Sequence, residues 1–398
     1  MTKALQFISF GVSVAIILLM IPVASASVTG YSYMKEHKIG GSSDGAMEDY
    51  QMMFIVHRGD GTDDGRDLYL SNRSQNWPND IRFENSSGAD LDYWVESKNS
   101  TTAIVWVKVD HIPAATDTPG YATVRVFYGK AGDSGDSNGS ATFPFFDDFS
   151  SFDNSKWNHG IGFNVKDGYG YLGSTVKRDN FVATKSWFDA PYALGYRVKS
   201  NIIGNMMQMS VTVHRQGNTR KVGGAPGYDL GDYGYCANDA RPNNDTISMY
   251  RFDNTWTVLN NSNISLAGGV WYKGTIITRS DGLTASFYDD NMGPLNTAVT
   301  DDTTWTGGYI GLQNDGIVQD IYDYLYVRKY TKNEPTHGEW GTEQSPSPQP
   351  SPSPSPSPQP SQKKGPVCPV CPVCPTVTGL VFLSFLLVGI SRLRGRKL

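Results

Sequence analysis

The chain has 398 residues, a formal charge of −5 and aromatic residues at 12%. It carries no basic stripe, which argues against nucleic acid as a partner, and it is long enough for two domains of ordinary size. Of its four cysteines only Cys236 lies away from the C-terminal segment, so no disulfide can form inside a globular core and the fold must hold by burial.

At the N-terminus Lys3 precedes an apolar stretch from Phe7 to Val23, followed by Ala24-Ser25-Ala26. A charged start, an apolar run and a small-x-small site predict a secretory signal peptide over residues 1–26; an uncleaved anchor is the alternative. Beyond it, alternating apolar patterns recur: Tyr50-Gln-Met-Met-Phe-Ile-Val56, Ala103-Ile-Val-Trp-Val-Lys-Val109 and Ala122-Thr-Val-Arg-Val-Phe-Tyr128. Met207-Gln-Met-Ser-Val-Thr-Val213, Tyr272-Lys-Gly-Thr-Ile-Ile-Thr278 and Leu283-Thr-Ala-Ser-Phe-Tyr288 continue the series. Turn signals such as Gly59-Asp-Gly and Ser280-Asp-Gly282 fall between them. Many short strands at regular spacing predict an all-β chain of two tandem β-sandwich or jelly-roll domains. The segment Gly132-Asp-Ser-Gly-Asp-Ser-Asn-Gly139 is the clearest break. It divides a sandwich over residues 27–143 from a second over 144–343.

The first of these resembles the DUF2341 family of prokaryotic surface proteins. The resemblance rests on Asn79-Asp-Ile-Arg-Phe83, Leu91-Asp-Tyr-Trp-Val-Glu96, Val105-Trp-Val-Lys-Val109, Val126-Phe-Tyr-Gly129 and Phe145-Phe-Asp-Asp-Phe149, in that order. The start, Tyr31-Ser-Tyr33, lacks an expected Trp. The resemblance implies a β-sandwich and no activity. The second domain resembles a concanavalin-type lectin and glucanase jelly roll, through Asp147-Asp-Phe149, Lys156-Trp157, Val270-Trp-Tyr272, Gly308-Tyr-Ile-Gly-Leu312 and Tyr322-Asp-Tyr-Leu-Tyr-Val327.

Jelly rolls that cleave sugars use two carboxylates, about 5–5.5 Å apart for retention or about 6.5–9.5 Å for inversion. No Glu occurs between Glu96 and Glu334, so a Glu pair is missing. Asp289-Asp290 and Asp301-Asp302 are adjacent and on a strand would face opposite ways. The six His lie singly, without His-x-His or His-Glu-x-x-His spacing, so a zinc enzyme is not indicated. The expectation is a protein without catalytic residues.

Sugar binding needs aromatic faces and hydrogen-bonding side chains. The irregular segment Gly223–Asp245 offers Tyr228, Asp229, Asp232, Tyr233, Tyr235 and Asn238, with Trp256 and Trp305 as further stacking planes. The alternative is that these aromatics only pack the segment onto the sheet. Calcium is the one metal to consider, and no other cofactor is implied. Asp60, Asp63, Asp64 and Asp67 share a Gly-rich turn. If the terminal strands pair as the resemblance suggests, Asp147 and Asp148 would meet Asp320 or Asp323. Solvated acidic turns are the alternative for both.

From Ser345 to Pro360 the chain is a Ser-Pro-Gln repeat, followed by the Cys368-Pro-Val-Cys371-Pro-Val-Cys374 repeat. Residues 344–375 thus read as a stalk, 376–391 as a transmembrane or sorting-signal helix, and 392–398 as a basic cytoplasmic tail. In polyproline II the three cysteines line one edge, roughly 9 Å apart. Intrachain bridges, which need about 7 Å or less between Cα atoms, are disfavoured. Lipid attachment or intermolecular disulfides remain for them. Asn-x-Ser/Thr sequons beginning at Asn72, Asn85, Asn99, Asn138, Asn244, Asn260 and Asn263 fit a glycosylated exterior and lean towards an archaeal surface. The whole reads as a membrane-anchored surface protein that binds an extracellular glycan or an envelope protein, without catalysis. An atypical glycoside hydrolase and a purely structural envelope protein are the alternatives.

Overall fold

The structure, a computed structural model, describes residues 29–173, 180–201, 209–217, 234–241, 246–253, 255–314 and 319–346; of the side chains at 159–161, 237–241 and 246 nothing is said. The expected signal peptide, most of the stalk, the anchor, the basic tail and Cys368, Cys371 and Cys374 lie outside the described residues. Among the described residues no helix is long and apolar enough to cross a membrane.

The first sandwich contains β1 (Tyr33–Gly40), β2 (Met47–His57), β3 (Asp67–Tyr69), β4 (Arg82–Asn85), β5 (Tyr93–Lys98), β6 (Thr102–Ile112) and β7 (Tyr121–Tyr128). A single helical turn, α1 (Gly139–Thr142), leads out of it, with Asn138 as N-cap accepting from the Ala141 amide. The second sandwich begins with β8 (Phe145–Asp147), β9 (Trp157–Ile161), β10 (Phe163–Lys166), β11 (Tyr169–Leu172), β12 (Asn180–Thr184), β13 (Phe188–Asp189), β14 (Tyr192–Ser200) and β15 (Met209–Arg215). It continues through β16 (Gly234–Arg241), β17 (Thr246–Phe252), β18 (Trp256–Asn263), β19 (Tyr272–Arg279), β20 (Gly282–Asp289), β21 (Pro294–Thr300), β22 (Gly307–Asn314) and β23 (Asp320–Lys329). The last strand is β24 (Thr336–Trp340).

Period-two burial builds each core. On β2, Tyr50, Met52, Phe54 and Val56 enter the first core; on β6, Val105, Val107 and Val109 meet them. The first sandwich stacks sheet β24-β1-β7-β4 on sheet β3-β2-β6-β5. In the second, sheet β10-β11-β23-β14-β19-β20-β21 faces sheet β18-β17-β16-β15-β22-β12-β9. Val211, Val213, Ile276, Phe287, Leu312 and Leu325 belong to the core between them. All described pairs are antiparallel except β2 with β3.

One boundary differs from the expected span of residues 144–343. After β23 the chain returns to the first sandwich, where β24 pairs with β1, Trp340 opposite His37. Trp340 stacks on the His37 ring at 4.0 Å between centroids, and His37 Nε2 lies 2.9 Å from His337 Nδ1. The second sandwich is therefore an excursion between β7 and β24. The two sandwiches also share an aromatic contact in which Trp106, Phe143, Phe146, Tyr324 and Tyr326 are buried. At its side Glu96 meets Lys273 at 2.6 Å, both side chains 3% exposed. Glu96 also accepts from Trp106 Nε1 at 2.6 Å and Tyr324 Oη at 2.7 Å. Three partners compensate a carboxylate that burial alone would make costly.

Candidate functional site

The sheet β18-β17-β16-β15-β22-β12 has one face in the core, and on its other face, called the outer face below, Ser210, Thr212, Arg215, Phe181 and Gln313 are buried as well. On β15, Val211 and Val213 point inwards while Ser210 and Thr212 take the other side. On β22, Ile310 and Leu312 point inwards, leaving Tyr309, Gly311 and Gln313 outside. Register then assembles the outer face. Phe181 and Ser210 flank Gln313, Thr212 joins Gly311 to Cys236, and Cys236 lies opposite Tyr250. At the edge Phe252 lies opposite Trp256.

A bulge completes it. His214 has φ 51°, and the β15–β22 register shifts between Thr212 and Arg215. The imidazole turns into the core against Tyr192 and Tyr235, and its Nδ1 lies 2.9 Å from the Trp305 carbonyl oxygen. The next side chain, Arg215, is thereby returned to the outer face, where its guanidinium lies 3.9 Å from the Phe181 ring centroid. Gly311 makes room for it: a Cβ there would sit 2.5 Å from Thr212 Oγ1 and 2.6 Å from Phe181 Cε2.

Thr212, Arg215, Gly234, Tyr235, Cys236, Phe252, Trp256 and Gln313 line a small depression here. Trp256 packs at 5.0 Å from Phe252 and 5.6 Å from Tyr250, centroid to centroid. Beyond β22, Trp187 is 45% exposed and stands edge-on to Tyr309 at 5.3 Å. Between these aromatic groups Gln313 is 3% exposed, and its carbonyl Oε1 has no hydrogen-bond partner among the described residues. An unsatisfied buried amide oxygen is costly and marks a position that a donor would stabilise. From β22 to β18 the face spans four strand spacings, about 19 Å.

Of the residues expected to bind sugar, Tyr228, Asp229, Asp232 and Tyr233 lie outside the described residues. Asn238 sits on β16 opposite Val211, with its side chain outside them. Trp256 is half-buried on the outer face. Tyr235 requires correction. It is fully buried in the core; its hydroxyl donates to Asp302 Oδ1 at 2.7 Å and accepts from the Trp305 amide at 3.1 Å. Burial and then Asp302 push the phenol well above its ordinary range. Its register partner Val213 faces the core, so period two places Tyr235 there as well. Trp305 packs against that core, 5.4 Å from Tyr235. Burial pushes the Asp302 carboxyl up, but hydrogen bonds from Tyr235, Thr304 and Arg251 outweigh it and hold it at about 2. Sequence reasoning missed Phe181, Arg215, Tyr250, Phe252 and Gln313. The alternation around Gly308-Tyr-Ile-Gly-Leu312 was a signal for Gln313, whereas the bulge that redirects Arg215 left none.

Among the described residues most of the acidic groups expected to hold calcium are held by separate partners. Asp63 pairs with Lys35 at 2.6 Å and accepts from the Tyr69 amide at 2.7 Å, while Asp67 meets His57 Nε2 at 2.7 Å. Asp64 and Asp67 close the turn through backbone hydrogen bonds, and Asp60 stands at its start. β8 does pair with β23, Asp147 opposite Leu325. Even so, Asp147 accepts from Trp157 Nε1 at 2.6 Å and the Phe149 amide, Asp148 caps Ser150, and Asp323 meets Arg197 at 2.7 Å. Asp63, Asp67, Asp147, Asp148 and Asp323 thus each serve a separate partner and not a shared oxygen cage. Among the described residues no three His, Cys, Asp or Glu side chains could hold a metal.

Several solved structures are similar to about half of the chain. A carbohydrate-binding module from Bacillus subtilis is 10% identical, with 44% of this chain and 96% of that chain covered and a TM-score of 0.35. A seed lectin of Lotus tetragonolobus is 12% identical, with 51% and 99% covered and a TM-score of 0.38. An endo-β-1,3-glucanase from Pyrococcus furiosus is 9% identical, with 48% and 94% covered and a TM-score of 0.32. No curated protein matches the chain in sequence. The family signal runs from the first sandwich through β8 into β9: residues 77–160 match the family model DUF2341, a domain of unknown function.

Proposed function

We propose that this chain is a surface-anchored, non-catalytic glycan-binding protein, and that the outer face of the second sandwich holds the glycan. One observation carries the reading: Gln313, an almost fully buried amide with an unpartnered carbonyl oxygen, sits between aromatic groups and beside Arg215. Aromatic planes with a few fixed polar groups are the composition of a selective small-ligand site. The rings open to a glycan are the half-buried Trp256 and Phe252 at one end and the exposed Trp187 with Tyr309 at the other. The absence of Glu from residues 97 to 333 argues against hydrolysis. Surface attachment rests on the N-terminal apolar segment and the C-terminal stalk, apolar run and basic tail. A glycan array probed with the purified full chain tests the reading. Retention on at least one glycan without release of reducing ends is the expected result, and release of reducing ends that a single Asp→Asn change abolishes would refute the non-catalytic part.

A further inference from the structure

The first sandwich has an open side where β4 and β5, edge strands of its two sheets, are neighbours in sequence. The connection after β7 crosses this side: the Asn138 amide donates to the Tyr93 carbonyl at 2.8 Å and the Val95 amide to Ser137 Oγ at 2.9 Å. A cleft of about 430 Å³ opens there, lined by Tyr31, Arg82, Asp90, Tyr93, Lys130 and Asp136 among others.

Its floor is satisfied from within. Arg82 Nη1 donates to the carbonyls of Asn79 and Ile81 and to Tyr93 Oη at 2.8 Å; Nη2 meets Asp133, and Nε meets Asp136 at 2.9 Å. All three guanidinium nitrogens are engaged, so Arg82 frames the cleft rather than offering it a free cation. Three other groups are unspent. Tyr93 is 3% exposed, and its hydroxyl accepts from both Arg82 and the Asp136 amide at 3.0 Å. With both lone pairs used, only its proton remains, and no described residue accepts it. The Lys130 ammonium lies 4.8 Å over the Tyr31 ring, without a carboxylate in ion-pair range among the described residues. Asp90 has no cation in that range among the described residues either; burial and then the charge of Asp136 push its carboxyl up. Asp92 is neutralised by Lys108 at 2.7 Å. Setting Arg82, Lys130 and Lys108 against Asp90, Asp92, Asp133 and Asp136 leaves one net negative charge.

We propose that this cleft binds a small zwitterion of the α-amino-acid or dipeptide class, its ammonium between Asp90 and Asp136 and its carboxylate on Lys130 and the Tyr93 hydroxyl. A neutral sugar would accept the Tyr93 proton but would leave Asp90 and Lys130 uncompensated. A simple anion would add to the surplus of negative charge. This site is separate from the glycan face of the second sandwich and does not depend on it.

Calorimetric titration of the full chain with glycylglycine tests the proposal, with ethylamine, acetate and glucose as controls. Saturable binding of glycylglycine, stronger than any control, is expected. Asp90→Asn and Lys130→Met should each weaken it about tenfold or more, the worth of a charge-assisted contact. Neither side chain has an ion-pair partner among the described residues, so the melting temperature should hold. Tyr93→Phe, which keeps the ring, should weaken binding too. No saturable glycylglycine binding up to about 10 mM, binding indifferent to both charge variants, or glucose binding equally well would each overturn the proposal.

Discussion

Tyr235 and Trp256 stand on β16 and β18 of one sheet, Tyr235 buried in the core and Trp256 half-buried, which assigns them different roles. Tyr235→Phe keeps the packed ring and removes the hydroxyl that Asp302 and the Trp305 amide use. We expect a loss of about 1–2 kcal/mol in stability, read by urea unfolding, with glycan retention unchanged. Trp256→Ala should do the reverse, reducing retention about tenfold or more with a smaller change in stability because the side chain is only half-buried. Three histidines make a separate prediction at this scale. Burial lowers His37 to about 3, with help from the neighbouring His337; burial lowers His337 and His214 to about 4. Each imidazole binds a proton more weakly in the folded than in the unfolded chain, where its pKa is near 6.5. Their contribution is complete above about pH 6.5 and is lost as pH falls towards 4. At about pH 5 the cost should be up to about 2 kcal/mol for each histidine. Melting temperatures measured from pH 8 down to pH 4 should fall most steeply below pH 6.5, and a flat profile across that range would contradict the buried, neutral assignment.

β24 shows what an element can do that its own sequence does not announce. Thr336–Trp340 follows the closing strand of the second sandwich and reads as its tail, yet it pairs with β1 at the other end of the chain. Period-two patterns made the individual strands legible, because alternation on β2, β6 and β15 is written directly in their apolar residues. Pairings between distant segments were not legible, since many antiparallel partners satisfy the same alternation. The bulge at His214 was hidden for a related reason: it depends on a positive φ for a non-glycine residue, held by core contacts far away in sequence. The aromatic loop expected to bind sugar misled for Tyr235 because composition alone does not say which face of a strand a ring occupies. Removing the Trp340 ring tests the role of β24. Trp340→Ala should cost about 2–4 kcal/mol, and hydrogen exchange should quicken at β1 amides before those of β14 or β19. Equal exchange at β1 in both proteins would show that β24 is dispensable.

At the scale of the whole molecule, the return of β24 and the contact around Glu96 tie the two sandwiches together. Glu96→Gln leaves the Lys273 ammonium buried beside a neutral amide, and should cost about 3–5 kcal/mol. The double replacement Glu96→Gln with Lys273→Met should recover part of that loss. Calorimetry of the parent should show one unfolding transition for both sandwiches, and two well-separated transitions would contradict the coupling. A rigid base of this kind suits the glycan-binding role we propose for the second sandwich. The most direct test of that role is retention of the full chain on a glycan array, run for the parent, Trp256→Ala, Gln313→Leu and Tyr235→Phe. Our reading predicts that the parent binds at least one extended glycan, that Trp256→Ala and Gln313→Leu lose it while staying folded, and that Tyr235→Phe keeps it. A folded parent that binds no glycan, or binding that survives both outer-face changes, would contradict it.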